Sequence, residues 1–175
     1  MKHLFTLLSC LLSFLFSVAT GNPIATENAL PGNPISEWGV PDFRDNRIAG
    51  FTTNMSVNSG ETVRFKIDVQ GGANYTLKIY RIGYYAGNGA RLITDLGTLS
   101  GTAQPAGVSD PVTGLLDCDN WSESASWAVP ISAVSGLYVA KIERTGGGSN
   151  HIVFIVRNDN SNSDIYFQMP DATWQ

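Results

Sequence analysis

The chain has 175 residues but few side chains spaced for acid–base or nucleophilic work. Its two histidines are His3 and His151. Ser149 lies two residues before His151, so both fall on one side of an extended segment. A serine nucleophile also needs a carboxylate against the imidazole and donors for an oxyanion, and no pattern here supplies them. With His3 in the apolar N-terminus, His151 alone does not make a zinc centre. The densest acids are Asp117, Asp119 and Glu123, with Asp110 upstream. Calcium accepts such oxygens, but the spacing lacks the loop pattern of a calcium hand, so solvated loop carboxylates are the preferred reading. Asp117 and Glu123 as a glycosidase pair would need a cleft that the sequence does not define. Gly87-Asn88-Gly89-Ala90-Arg91 has the glycines of a phosphate loop without the Lys-Ser/Thr that follows in one. No catalytic residue, metal ligand or cofactor is therefore assigned.

The aromatic residues are the stronger hint. Tyr80, Tyr84, Tyr85 and Trp121 exceed what one small sheet face needs to bury. They suit either stacking on sugar rings, as in a carbohydrate-binding module, or a rigid domain interface. Trp127 and Tyr138 read as core, and Trp38 as an anchor for the N-terminal segment. Of the two cysteines, Cys10 lies in the apolar N-terminus. Cys118 is thus expected to be unpaired and buried rather than a reactive surface thiol. Asn54, Asn74 and Asn120 each open a glycosylation sequon.

These residues must be positioned by strands. Residues 1–21 read as a signal peptide: Lys2, an apolar run from Leu4 to Val18, and the small-x-small ending Ser17-Val18-Ala19. A secreted, periplasmic or extracellular location follows, with no membrane attachment after removal, because the run falls short of the roughly 20 residues of a bilayer span. The charge is −4, and no basic cluster offers a nucleic-acid surface. Residues 22–46, with Pro31-Gly32 and Asn33-Pro34, predict an irregular arm. Thr62 to Val69 alternates apolar and polar, the signature of a half-buried antiparallel strand. Further strands are predicted at 47–53, from Tyr75 into a hairpin turned at Asn88-Gly89, and at 91–96, 121–129, 136–144 and 151–157. Helix is confined to one turn at Ser132–Val134. Glu123 sits awkwardly on the apolar side of the 121–129 strand, which an edge position or a bulge would resolve. About seven strands over 47–158 predict an all-β fold, an antiparallel β-sandwich like immunoglobulin or fibronectin type III domains. Residues 159–175 read as a polar linker and then the first strand, near Asp164–Gln168, of a further domain missing from this chain.

Several phrases carry a resemblance in combination: NPIATENALPGNP (22–34), IAGFTTNMSVNSGETVRFKI (48–67), IYRIGYYAGNGARLI (79–93), TGLLDCDNW (113–121), SGLYVAKI (135–142) and SDIYFQMPDATWQ (163–175). Together they resemble the N-terminal region of secreted proteins related to the large (beta) subunit of N,N-dimethylformamidase. The resemblance implies an immunoglobulin-like part followed by a larger α/β domain that carries the metal-binding and hydrolytic residues, none of which maps onto this chain. It implies a non-catalytic module that packs against or positions that downstream domain. The alternatives are a carbohydrate or cell-surface binding module, or part of an amide C–N hydrolase whose catalytic domain lies elsewhere. It also implies a cysteine at position 107 paired with Cys118. Gly107 stands there instead, and without a staple worth about 2–3 kcal/mol the 100–120 loop is expected to be disordered unless packing compensates.

Overall fold

The strand Thr62–Val69 shows how this sequence makes a sheet. Val63, Phe65, Ile67 and Val69 are buried, whereas Thr62 and Arg64 face solvent. That period of two is what a strand with one face on a core requires. The computed structural model describes residues 21–42, 45–164 and 166–169. Its strands are β1 (Ile48–Thr52), β2 (Ser56–Asn58), β3 (Thr62–Val69), β4 (Tyr75–Ile82), β5 (Ala90–Leu99), β6 (Val108–Ser109), β7 (Leu116–Asp117), β8 (Ala125–Ala128), β9 (Gly136–Arg144) and β10 (Ser149–Arg157). A three-stranded sheet runs β1-β3-β8, and a five-stranded sheet runs β2-β10-β9-β4-β5. Strands β6 and β7 pair only with each other, as a hairpin inside the long loop.

The two sheets face each other across one apolar core. Phe65 and Ile67 from the small sheet meet Leu77, Ile79, Ile142 and Phe154 from the large one. Phe65, Trp127, Tyr138 and Phe154 form its aromatic centre, with the Phe65 and Phe154 rings edge-on at 5.8 Å. Edge-on packing places the positive rim of one ring on the negative face of the other. Trp127 and Tyr138 are core residues, as their positions on the alternation predict.

The all-β sandwich is the fold observed, and it departs from the reading in five places. Among the described residues ten strands replace seven. The extra ones are short, and β2 joins the sheet by parallel pairing with β10, which a hydrophobic period cannot reveal. β8 begins only at Ala125, so Glu123 lies in the loop before it and pairs with Arg64 at 2.8 Å. The β4–β5 turn is not a simple Asn-Gly turn: Asn88 is right-handed, and the left-handed backbone falls on Tyr85, Ala86, Gly87 and Gly89. The arm is partly helical, with α1 (Pro23–Asn28) and α2 (Ile35–Trp38). Asn22 caps α1 by accepting from the N–H groups of Ile24 and Ala25, and Pro23 fits the first turn because it has no N–H to leave unpaired. No helix forms at Ser132–Val134; the Ala133 N–H closes a turn onto the Pro130 carbonyl.

The expected signal peptide lies outside the described residues apart from Gly21. No described helix is long and apolar enough to cross a membrane. Asp164 and Tyr166–Met169 are not in a strand, and the remainder of the predicted terminal strand lies outside the described residues.

Candidate functional site: the outer face of the large sheet

The large sheet is apolar on both sides. Along β9 and β10, Tyr138, Ala140, Ile142, Ile152, Phe154 and Val156 fill the core, and the alternate residues Leu137, Val139, Val153 and Ile155 must face the other way. A sheet with two apolar faces needs cover on each. Half of the outer face is covered by the arm. Trp38, at the end of α2, packs with Leu92 and Val153 on the buried residues Tyr80, Ala90 and Val139. Its indole N–H donates to the Asn88 carbonyl at 3.1 Å, and its ring stacks 6.4 Å from that of His151.

The sheet also supplies donors for the carbonyls that α2 leaves free at its end. Lys141 Nζ and the Tyr80 hydroxyl donate to the Glu37 carbonyl at 3.0 and 3.3 Å, and His151 Nε2 lies 2.5 Å from the Trp38 carbonyl. Burial pushes the His151 pKa below its usual value and the nearby Lys141 charge adds to this, while the bond to Trp38 opposes it. The arm also blocks the open edge of β5. The Asn33 N–H donates to the Ala90 carbonyl, and the Asn33 side chain accepts from the Leu92 N–H at 2.7 Å. Gly32 makes this approach feasible, since a Cβ there would lie 2.5 Å from that of Tyr85.

A buried ionic cluster holds α1 in place. The Glu27 carboxylate accepts from Arg91 and from the Tyr85 hydroxyl, at 2.7 and 2.9 Å. Arg81 donates to the Tyr85 oxygen at 3.1 Å and to the Ser135 carbonyl at 2.9 Å. Desolvation raises the Tyr85 pKa, so its hydroxyl keeps the proton it donates. The left-handed backbone at Tyr85 and Ala86 turns the Tyr85 ring inward to reach this cluster. Sequence reasoning missed Glu27, Arg81 and Arg91. The available signal was Arg81 itself, which continues the inward series Tyr75, Leu77, Ile79 and so brings a charge that burial obliges to find partners.

The other half of the outer face is a groove of about 370 Å³ that includes Leu137, Ile155, Tyr166, Phe167 and Met169 in its lining. It continues into one of about 260 Å³ that reaches Met55 and Val153 beside β2. The segment Tyr166–Met169 rims both, yet Tyr166 and Phe167 remain 88% and 77% exposed.

The residues singled out by sequence do not converge. Tyr80 and Tyr85 are buried, so they cannot join an exposed stacking row; Tyr84 is 72% exposed and stands alone of the three tyrosines. Trp121 packs against Phe51 at 5.6 Å and donates to the Pro105 carbonyl, on the small-sheet side. Cys118 is unpaired and only partly buried. Asp110 and Asp117 each accept from nearby backbone N–H groups, and Asp119 lies 3.7 Å from Lys66. Among the described residues no group of three His, Cys, Asp or Glu could hold a metal ion.

Residues 76–175 match the family described as N,N-dimethylformamidase beta subunit-like, C-terminal. The chain belongs to the N,N-dimethylformamidase beta subunit-like family. No curated protein matches it. The family match begins inside β4, takes in β5, β9 and β10 of the large sheet and continues through the polar spacer and Tyr166–Met169. In this family, then, the segment rimming the grooves belongs to the same pattern as the strands beneath it. The arm and β1–β3 precede the match.

Proposed function

We propose that this chain is a secreted, non-catalytic β-sandwich module that packs against and positions an enzyme-like α/β domain of the same protein. Residues 1–21 would be its signal peptide and residues 159–175 the passage into that domain. The observation that carries the reading is the uncovered half of the large sheet's outer face. Leu137, Val153 and Ile155 line grooves to which the arm contributes Ile24, and the chain leaves β10 alongside them. Apolar surface of this kind favours burial against a partner. Any amide C–N hydrolysis would belong to the whole protein, with its catalytic groups outside these residues.

One observation favours a second reading, a carbohydrate-binding module. A neighbouring groove of about 680 Å³ has Ser59, Ser132, Ser135, Asn158, Asn162 and Ser163 in its lining and no charged side chain. Hydroxyl and amide groups suit a neutral polyol.

The test is the reading frame past Gln175, with amide exchange compared between the 175-residue chain and the longer product. The docking reading expects further coding sequence with an alternating β/α pattern and slower exchange at 153–157 in the longer protein. A stop codon after Gln175, or equal exchange in the two, rejects it.

A further inference from the structure

A second exposed apolar element lies on the opposite side of the molecule. The loop between β5 and β8 crosses the small sheet, where Trp121 packs on Phe51 and Lys66 Nζ donates to the Asp119 carbonyl. From this base the β6–β7 hairpin projects with Val112 90% exposed and Val108, Leu115 and Leu116 each more than 60% exposed. These are not the side chains of a solvated loop. The tip is also held in one shape. The Asp110 carboxylate accepts from the N–H groups of Val112 and Thr113 at 2.7 and 3.2 Å, and the Asp110 N–H donates to the Leu115 carbonyl at 2.8 Å. A rigid apolar tip loses little conformational freedom when it is buried by a partner.

The charge around it has one sign. No lysine or arginine occurs between Arg91 and Lys141, while Asp110, Asp117 and Asp119 lie in or beside the hairpin. The nearest bases, Arg64 and Lys66, are engaged by Glu123 and Asp119 at its foot. Among the described residues neither Asp110 nor Asp117 has a cationic partner.

We infer that the β6–β7 hairpin is a docking finger whose tip, Val112, Leu115 and Leu116, enters an apolar cleft rimmed by lysine or arginine on another protein. The aspartates then meet the rim charges, and complementarity of this kind raises the rate of encounter and rejects acidic partners. A second copy is a poor occupant, because the chain is itself acidic, with a charge of −4, and would bring like charge to the finger.

The probe is an immobilised peptide of alternating Lys and Leu residues, with its Glu/Leu counterpart as control, tested against the full chain. The Lys/Leu peptide should bind, and rising salt should weaken it. The triple variant Val112→Ser, Leu115→Ser, Leu116→Ser should lose about tenfold or more in affinity. Ile131→Ser, which alters an apolar residue 81% exposed outside the hairpin, should not change it. Should the triple variant melt early, Val112→Ser alone keeps the test, since a side chain so exposed contributes little to folding. Equal binding by the Glu/Leu peptide, undiminished binding by the variants, or a wild-type dimer that the triple variant abolishes would each overturn the inference. None of these readouts involves the outer face of the large sheet, so this result and that of the proposed docking domain separate cleanly.

Discussion

His151 is taken up in the seam between the large sheet and the arm. Its ring stacks on Trp38 and meets the Trp38 carbonyl through Nε2. Because its folded pKa is lowered, the unfolded chain binds the proton more readily than the folded one. The associated stability is complete above the unfolded value, near 6.5, and is lost as pH falls through the folded value. Lys141, Glu37, Glu143 and Tyr80 surround the same seam. Urea titrations of the wild type should therefore show stability falling as pH drops below about 6.5, and His151→Gln, which keeps a donor without the titration, should flatten that dependence. An unchanged slope would remove His151 from the account. The role of Trp38 was legible in the sequence, as an isolated aromatic in a Pro- and Gly-rich arm. That of Tyr85 was not, because its inward course depends on a left-handed backbone that composition does not announce.

At the level of the element, the loop from Ser100 to Ser124 lacks the cysteine pair and was expected to be disordered unless packing compensates. Contacts with the small sheet and within the loop supply that compensation. Gln104 is the reason. Its backbone N–H donates to the Asp68 carboxylate, and its amide bonds the carbonyls of Ile67 and Ser122, while its oxygen accepts from the Ser122 N–H. Asn120 and Trp121 add bonds to the carbonyls of Ala106 and Pro105. One partly buried amide thus stands in for the covalent staple. The geometry for a staple is nevertheless retained, since a Cβ built on Gly107 would lie 2.9 Å from Cys118 Sγ. Across a disulfide the Cβ of one half and the sulfur of the other are about 3 Å apart, and Gly107 does not occupy the left-handed region. Gly107→Cys should therefore oxidise to a bridge with Cys118 and raise stability by about 2–3 kcal/mol over its reduced form. Melting with and without reductant measures this, and two free thiols after air oxidation would refute it.

At the scale of the molecule, the arm belongs to the sandwich rather than preceding it. It covers half of an apolar sheet face, blocks the β5 edge through Asn33 and brings Glu27 to the Arg81–Tyr85–Arg91 cluster. Removing residues 22–46 should expose Tyr80, Leu92 and Val139 and leave Arg91 and the Tyr85 hydroxyl without the Glu27 acceptor. Losing one large packed aromatic such as Trp38 costs about 3 kcal/mol, so the shortened chain should unfold at markedly lower temperature, bind a hydrophobic dye and associate through the open β5 edge. A soluble, monomeric product with the wild-type melting temperature would show that the arm is dispensable.

Alternation of apolar and polar residues, with glycine at the turns, was enough to determine an all-β sandwich and most of its core, because a strand's period of two is a local property written residue by residue. Which strands pair in parallel, which tyrosines turn inward, and which half of the large sheet remains uncovered depend on contacts between segments far apart in the chain. Those contacts exist only once the sheets have closed on each other, and tertiary structure alone decided them.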